Sequence, residues 1–436
     1  MFDVILQPQA LILILFVVFG FLAIIGVPIA FALGISSLSV ILLDPRLTIW
    51  PFFQRSFYAI DSFVLLAVPL FMFTGTLMNS SRFTDKLIEF SRCIVGPVRG
   101  GLAHVNIIAS MLFAGISGST NADTAGIGSI LIPAMKKEGY PISISTAVTA
   151  ASSVMGVIIP PSLLMVVWSS ITETSVAGLF LGGVIPGILI GFSQMGIIAV
   201  LAKKDNYPRT SFPGFKKLLA SSKHGLIALG APVLIIGGIL GGFFTPTEAA
   251  VAGIIYCLFF SVVFYRQLTI AGFIEACWET ARITSLALFC VAMASIFGWL
   301  ISYYRLPRIL MEYVTIENPI FLLMFTTVVM LLFGTFMDAL PAMAILGPLF
   351  LPIIRQAGIH PVHFGVVSVV ALALGFITPP YGLSLLISCK IAGIPITKAF
   401  KDTMLFFGVA LVLIILMILF PQIVLGLPQL IAPRFM

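Results

Sequence analysis

The chain has 436 residues, of which 60% are hydrophobic and 9% are charged, and its net charge is +7. A water-soluble protein of this size needs a more highly charged surface, so the composition indicates a polytopic membrane protein. The basic residues form neither a basic face nor an aromatic platform, which argues against a nucleic-acid partner.

Each half of the chain begins with two apolar runs that predict membrane spans. In the first half they are 11–25 and 30–43, and in the second half they are 226–243 and 249–264. Each run approaches the length of about 20 residues that a transmembrane helix needs.

More polar segments follow these runs. Residues 46–60 and 266–280 mix aromatic, basic and polar side chains, so we expect helices that lie along the membrane interface. Residues 62–78 and 283–302 are apolar again and are predicted to span the membrane. A second polar connector is predicted at 82–99.

One pattern occurs in both halves. Residues 115–162 and 334–382 each contain a polar stretch with Gly, Thr and one Asp, an apolar helix ending in Pro, and a turn with Gly. A second apolar helix and the motif Gly-x-x-x-Pro-Pro complete each segment. Matching positions are 219 residues apart, so the repeat spans the whole chain. They are Pro133, Gly139, Gly156, Pro160 and Pro161 in the first half and Pro352, Gly358, Gly375, Pro379 and Pro380 in the second.

These segments predict two re-entrant hairpins, at 104–133 and 320–352, each followed by a helix that breaks at the Pro-Pro pair. In lipid, irregular backbone survives only where protein or a cavity surrounds it. Paired breaks in two halves are therefore the best indication in a sequence of a transporter's binding site. A long closing span is predicted for each half, at 176–201 and 403–424.

The number of crossings and the loop charges both predict how the halves are oriented. If each hairpin enters and leaves on the same side of the membrane, each half of the chain crosses the membrane five times. Because five is an odd number, the second half must have the opposite orientation to the first. The 203–223 loop holds six basic residues and one acid, so we place it in the cytoplasm. Assigning the remaining loops alternately to the two sides of the membrane, starting from this loop, places 16 basic residues inside and 6 outside. Both termini then lie on the outer side. We therefore predict an all-α membrane protein with two inverted repeats.

Asp123 and Asp338 stand out, because a carboxylate inside the membrane is costly and usually has a partner or a function. Asp123 also fits a helix cap at the junction between the hairpin tip and its second arm, and capping is compatible with cation binding. The polar run 117–121 either forms a ligand or ion tip or packs against a neighbouring helix. Glu173 and Glu248 are interpreted as interfacial caps or contacts.

The sequence Gly115-Ile116-Ser117-Gly118 also matches the short Gly-x-Ser-Gly motif of rhomboid-type intramembrane serine proteases. That mechanism needs a histidine that reaches the serine, and His104 lies thirteen residues earlier on the same arm, so the protease is a remote alternative. No GxxxxGK[ST] nucleotide-binding motif occurs, so transport must draw its energy from an ion gradient.

The chain resembles the large membrane subunit, of the DctM type, of tripartite ATP-independent periplasmic (TRAP) transporters. The resemblance covers essentially the whole chain, and the segments that carry it are SGSTNADTAGIGSILIPAMKKEGY, IPPS, FTPTEAA, GTFMDALPAMAILGPLFLPI and TPPYG. It implies a sodium-driven importer of carboxylates in the bacterial inner membrane. Its implied partners are a small four-helix membrane subunit, expected as a separate chain, and a periplasmic substrate-binding protein, with membrane lipid around the permease.

The resemblance also implies an elevator-type fold, in which a transport domain that carries both hairpins moves against a scaffold. Scaffold spans and arms are expected at 1–95 and 225–318, and the transport-domain halves at 96–175 and 319–400. The other regions are the closing span at 176–201, the cytoplasmic loop at 202–224, and the second closing span with a periplasmic C-terminus at 401–436.

We expect two sodium sites, one per half, on either side of a carboxylate site between the hairpin tips, and no organic cofactor. Unwound backbone in a transporter supplies free carbonyl ligands for sodium, and the start of the hairpin's second arm favours an anion. The first ion site is predicted to comprise Ser117, Thr120, Asp123, Gly156 and Ile159. The second comprises Gly334, Thr335, Asp338, Gly375 and Thr378, and the substrate site comprises Ser119, Asn121, Thr124, Pro161, Ser162 and Pro380.

The leading hypothesis is therefore an importer that depends on a binding protein. A stand-alone sodium/carboxylate symporter of the divalent-anion type is the main alternative, and the intramembrane protease is the remote one. The sequence does not name the substrate, because C4-dicarboxylates, sialic acid and other organic acids all fit.

The predicted orientation can be tested with single cysteines in a variant whose native cysteines are replaced. A cysteine at Asn206 is expected to resist an impermeant thiol reagent in intact spheroplasts and to react after lysis, because the 203–223 loop is predicted to face the cytoplasm. A cysteine at Arg434 serves as the control and is expected to react before lysis. The reverse pattern would overturn the orientation.

Overall fold

The computed structural model describes residues 7–81, 83–209, 214–313 and 318–435. The regular secondary structure within these ranges is helical, as the sequence predicts. The first half contains α1 (Pro8–Ile24), α2 (Ile29–Leu43), α3 (Trp50–Ile60), α4 (Ala67–Ser80), α5 (Phe83–Val95), α6 (Gly101–Ser117), α7 (Thr120–Lys137), α8 (Ile142–Ser153), α9 (Leu163–Thr172) and α10 (Val176–Lys204). The second contains α11 (Phe215–Gly241), α12 (Pro246–Phe259), α13 (Ile270–Tyr303), α14 (Leu306–Tyr313), α15 (Pro319–Phe336), α16 (Ala339–Gln356), α17 (Pro361–Leu374), α18 (Leu383–Ala392), α19 (Ile396–Leu419) and α20 (Gln422–Ile431).

The helix boundaries repeat between the two halves. The second hairpin arms, α7 and α16, each have 18 residues and begin 219 residues apart. Helices α8 and α17 each continue into a short 3-10 segment, Val154–Val157 and Gly375–Ile377. The Pro-Pro peptide bonds that follow, at 160–161 and 379–380, are both cis. Helices α9 and α18, with 10 residues each, come next. The order of elements expected from the sequence repeat is therefore found in both halves.

Long apolar helices make this a multi-pass membrane protein. Seven helical stretches in the described part of the chain have at least 18 residues and are apolar enough to cross a membrane. Eight shorter apolar helices, of 10–17 residues, accompany them. The seven long stretches are Val176–Lys204, Ser221–Gly241, Pro246–Phe264, Ile270–Tyr303, Pro319–Phe336, Ala339–Gln356 and Ile396–Leu419.

The interfacial arm predicted at 266–280 is not a separate helix. It forms the first part of α13, which runs unbroken for 34 residues. At 1.5 Å per residue this helix is about 51 Å long, well beyond the roughly 30 Å of the hydrocarbon layer. In the first half α3 does end, at Ile60, and α4 begins only at Ala67. The break in the first half falls at Asp61 and Ser62, which favour turns and caps, whereas the residues 219 positions later are Thr280 and Ala281.

The closing span of the second half also differs from the prediction of 403–424. Helix α19 starts earlier, at Ile396, and ends at Leu419. The break falls at Pro421, which has no N–H to continue the helix, and α20 follows from Gln422 to Ile431.

The expected cap at Glu248 is confirmed. Thr245 and Glu248 form a capping box at the start of α12, in which the Thr245 N–H donates to Glu248 Oε2 at 2.8 Å. The Glu248 N–H donates to Thr245 Oγ1 at 3.3 Å. Glu173 is the C-terminal cap residue of α9, in a left-handed conformation with φ of 55°.

For description we divide the helices into two groups, which are in close contact through α5 with α6 and α13 with α16. The arm group comprises α1–α5 and α11–α14, and the hairpin group comprises α6–α10 and α15–α20. Within the hairpin group the halves interlock, because α18 packs on α7 and α8 while α9 packs on α16. Trp168 and Phe364 join α9 to α17 edge to face, with their ring centroids 5.3 Å apart. Helix α13 forms much of the seam, where it packs on α16.

A buried carboxylate braces the arm group. Asp44 follows α2 and is 2% exposed. Its oxygens accept hydrogen bonds from Arg46 Nε at 2.8 Å and Nη2 at 2.9 Å, and from the Tyr304 hydroxyl at 2.8 Å. These donors compensate the buried charge and outweigh the effect of burial, so the pKa of Asp44 is lowered. The end of α2 is thereby fixed to the end of α13.

We expect Tyr304→Phe to destabilise the protein, because it removes one hydrogen bond to a buried charge. Such a bond contributes about 1.5–3 kcal/mol, which should appear as a lower Tm in detergent. Tyr303→Phe is the matched control, since Tyr303 is adjacent and 42% exposed. Equal Tm values for the two variants would contradict the bracing role of Asp44.

Candidate functional site

The tip of the first hairpin lies against the Pro-Pro break of its own half. Helix α6 ends at Ser117, and Gly118 turns the chain with φ of 60°. A Cβ added to Gly118 would lie 2.9 Å from the carbonyl oxygen of Pro161, so a glycine is needed there. The Leu163 N–H donates to the Gly118 carbonyl at 3.3 Å, which ties the tip to the start of α9.

Asp123 lies one turn inside α7 and is fully buried. Ser119 is the N-cap residue of α7, so the interpretation of Asp123 as the cap is wrong. The Ser117 hydroxyl instead donates to Asp123 Oδ1 across the hairpin tip. The Ser119 N–H donates back to Ser117 Oγ at 3.2 Å. The carboxylate therefore faces the hairpin turn rather than the helix end.

Three buried oxygen atoms at this tip have no hydrogen-bond partner. They are Thr120 Oγ1, Asn121 Oδ1 and Asp123 Oδ2. Burying a polar oxygen without a partner is costly, and an unpartnered carboxylate oxygen is costlier still. A bound cation would supply what these atoms lack.

The unwound segment after α8 lies beside the carboxylate. A Cβ added to Gly156 would collide with the side chain of Asp123 and would lie 3.1 Å from the carbonyl carbon of Ser119. Glycine at 156 thus lets the tip and the break come together. Ile159, also predicted for this site, is half-buried two residues beyond the 3-10 segment. The structure therefore brings together Ser117, Asp123 and Gly156 of the predicted first ion site.

The second half brings its hairpin and break together more closely. A Cβ on Gly375 would collide with the Gly334 carbonyl, and one on Gly334 would lie 3.0 Å from the Leu372 carbonyl oxygen. The Thr335 carbonyl accepts from the Tyr381 N–H at 3.0 Å. The predicted members Gly334, Thr335 and Gly375 therefore lie around one junction.

The hydroxyls of the second site are already engaged. Thr335 Oγ1 donates to the Leu332 carbonyl at 2.7 Å, and Thr378 Oγ1 donates to the Leu374 carbonyl at 2.9 Å. Each hydroxyl uses its hydrogen in this bond, so its oxygen lone pairs, like the backbone carbonyls, can still face a cation. Within the described residues, no group of three or more His, Cys, Asp or Glu side chains could hold a metal ion at either site.

The two acidic residues do not occupy equivalent positions. The residue 219 positions after Asp123 is Ala342, and the residue 219 positions before Asp338 is Ser119. Asp338 is the N-cap residue of α16, and the Tyr381 hydroxyl lies 3.4 Å from its Oδ2. The two halves therefore share a backbone arrangement but not a charge arrangement.

The predicted substrate residues differ in access. Ser119 and Asn121 are half-buried at the tip, and Pro380 is exposed. Thr124 and Ser162 are fully buried. Thr124 Oγ1 donates to the Thr120 carbonyl at 2.8 Å, and Ser162 Oγ caps α9 by accepting from the Met165 N–H at 3.3 Å. Pro161 is buried beside Gly118. Ser119, Asn121 and Pro380 are thus the members of this set that a ligand could reach.

The sequence reasoning missed Tyr381 and Ser384. Tyr381 directly follows the second Pro-Pro pair, and this position was the available signal. Ser384 Oγ lies 3.1 Å from Thr124 Oγ1 and links the first hairpin to α18 of the other half. Nothing in the local sequence indicates this long-range contact.

A buried polar network beneath the first hairpin was also missed. Asn106 Nδ2 donates to Thr149 Oγ1 at 2.7 Å, and the Ser152 hydroxyl donates to Asn106 Oδ1 at 3.1 Å. Ser110 Oγ and Ser152 Oγ are 2.8 Å apart. These bonds fix α6 to α8 below the tip.

Comparisons with known proteins agree with this architecture. The family model of the tripartite ATP-independent periplasmic transporter, DctM component, matches residues 15–423. The sialic acid TRAP transporter large permease protein SiaM of Vibrio cholerae is 37% identical, over 95% of this chain and 98% of its own length. The C4-dicarboxylate TRAP transporter large permease protein DctM of Pseudomonas aeruginosa is 35% identical, over 91% of this chain and 94% of its own length.

The YdaH transporter of Alcanivorax borkumensis has a similar fold, with a TM-score of 0.58 and 15% identity over 84% of this chain and 86% of its own. The family is one of transporters rather than enzymes, so the protease alternative is set aside. The match across the whole length identifies the chain as a member of the DctM family, the large membrane permeases of TRAP transporters.

Proposed function

We propose that this permease imports an organic acid across the bacterial inner membrane and that inward sodium flow drives the transport. The observation that carries the proposal is the group of unpartnered oxygens at the first hairpin tip, next to Gly156. A monovalent cation fits this site, because the site offers one carboxylate and neutral oxygen atoms that are buried. The second site, with its carbonyl and hydroxyl oxygens, would take a second sodium ion.

The substrate carboxylate would bind between the two tips, near Ser119, Asn121 and Pro380. Asp123 cannot contact it directly, since like charges repel, so the bound sodium ion would screen one from the other. The relatives named for sialic acid and for C4-dicarboxylates support a substrate of one of these two classes. The periplasmic binding protein that delivers the substrate would select how many charges the substrate carries.

The packing suggests how the site would change sides. The hairpin group would move as one body against the arm group, which is the elevator mechanism, and the two halves would be inverted relative to each other in the membrane. The interlocking of α18 with α7 and α8 supports a single moving body. The long arm of α13 and the amphipathic α3 would contact the small membrane subunit and lipid.

The decisive experiment is uptake into proteoliposomes. We expect uptake of sialic acid or succinate only when the small subunit, the periplasmic binding protein and an inward sodium gradient are all present. Uptake by this chain alone would favour the stand-alone symporter. Uptake that ignores the sodium gradient would exclude the sodium-coupled mechanism.

Asp123→Asn is expected to raise the sodium concentration needed for half-maximal uptake by about tenfold or more, because it removes the charge that offsets the cation. Losing an interaction with a charged group costs about 1.5–3 kcal/mol, and 1.4 kcal/mol is tenfold. Asp85→Asn is the control, since Asp85 is exposed on α5. Unchanged sodium dependence in Asp123→Asn would remove Asp123 from the ion site.

Gly375→Val is expected to abolish coupled uptake, because its side chain would push the second break away from the Gly334 carbonyl. Gly408→Val tests a helical glycine with open space around it and should retain uptake. Size-exclusion profiles and Tm values would show whether both variants fold. A folded Gly375→Val protein with normal sodium-dependent uptake would contradict the role of this junction.

A further inference from the structure

A large cavity lies on the seam between the arm group and the hairpin group, away from the hairpin tips. Its volume is about 1000 Å³, at the upper end of the range for small-molecule sites. One wall comes from α3, α13 and the loop between α11 and α12, all in the arm group. The other wall comes from the end of α9 and from α16, in the hairpin group. In the proposed orientation it opens to the periplasm, because it is lined by the start of α10 and the end of α11, which are the helix ends remote from Lys204 and Phe215.

Arg55 is the only lysine or arginine among the described residues that line this cavity. It forms no ion pair with any carboxylate in the described ranges. Its guanidinium carbon instead lies 5.6 Å from the ring centroid of Trp299, which also lines the cavity. The aromatic face orients the guanidinium without using its N–H donors. These donors form a planar fork that can bind both oxygens of a carboxylate.

Several hydroxyl groups line the same cavity. Ser295 and Ser302 lie on the same face of α13 as Trp299, at helical spacings of four and three residues. Across the seam, Ser170 Oγ on α9 lies 3.2 Å from Ser62 Oγ in the arm group. A ligand in the cavity would therefore contact a wall that stays in place and a wall that belongs to the hairpin group.

The cavity also contains three acidic residues, Asp61, Glu173 and Glu248. The carboxylate of Glu248 is engaged by the backbone and hydroxyl of Thr245. Together the acids lower the affinity for any anion, so the site would hold a carboxylate weakly and release it readily. Weak binding suits a point of passage better than a storage site.

We propose that Arg55 and Trp299 form an outer receiving site for the substrate carboxylate, which the anion occupies before it reaches the hairpin tips. Arg55 would bind the carboxylate, and Trp299 would hold the guanidinium and contact the carbon skeleton. The inference rests on the proposed function, since it assumes that organic acids enter from this side. It differs from the tip site in needing no sodium, because neither residue touches the predicted ion sites.

The test is ligand-observed saturation-transfer NMR on the purified complex of the large and small subunits, with sialic acid and with succinate, in potassium buffer without sodium. We expect weak binding of at least one acid to the wild type. In Arg55→Gln that binding should fall about tenfold, as expected when one charge-assisted partner is lost. Trp299→Leu should weaken it as well.

Arg282→Gln is the matched control, since Arg282 is exposed on the same helix as Trp299 and does not line the cavity. Equal binding by wild type and Arg55→Gln would overturn the receiving site, as would the absence of sodium-independent binding of both acids to the wild type. The proposed function is tested separately by uptake. Sodium-dependent uptake that persists with an unchanged KM in Arg55→Gln would refute the receiving site and leave the importer intact.

Discussion

The need to satisfy broken backbone inside a membrane governs this structure. Helices α8 and α17 both unwind before a Pro-Pro pair, where water is not available to the freed N–H and C=O groups. The hairpin turns meet these breaks and share their hydrogen bonds, as Leu163 does with Gly118 and Tyr381 with Thr335. Glycines at the contact points make the approach close enough. The same arrangement leaves buried oxygen atoms at the junction of the hairpin and the break. The contacts that satisfy the broken backbone therefore also create the candidate site.

The two halves differ in the side chains that lie at their hairpin junctions. The first half leaves a carboxylate oxygen and two neutral oxygens without partners at its tip. The second half has an alanine where the first has Asp123, and its threonine hydroxyls bond to its own helices. The second half has its own carboxylate, Asp338, at the N-cap of α16, so the repeated backbone carries its acidic residues at different positions. Two ions bound at the two junctions would therefore have different sets of ligands.

Much of the architecture could be predicted from the sequence, because glycine and proline at a fixed spacing determine where helices can break. The positions of the Pro-Pro breaks and the closeness of Gly156 to Asp123 follow from that spacing. The predicted hairpin ends at Pro133 and Pro352 are wrong, because α7 and α16 each continue four residues beyond these prolines. The local sequence pattern could not predict contacts that depend on how distant helices pack, such as the contact of Thr124 with Ser384. The continuous α13 was missed because polar residues suggested an arm, although nothing in 270–303 forces a helix to end. The repeat also did not reveal that Asp123 and Asp338 stand at non-equivalent positions, because the backbone repeats more faithfully than the side chains.

The interlocked packing of α18 on α7 and α8, and of α9 on α16, has a consequence for energy conversion. Neither junction can change its exposure alone, because each is wedged into helices of the opposite half. Slippage, in which one ion crosses and the other stays behind, would require the core of the hairpin group to come apart. In the proposed sodium-coupled mechanism, this packing would keep the ratio of cargo to driving ions constant and would prevent loss of the gradient through half-completed cycles.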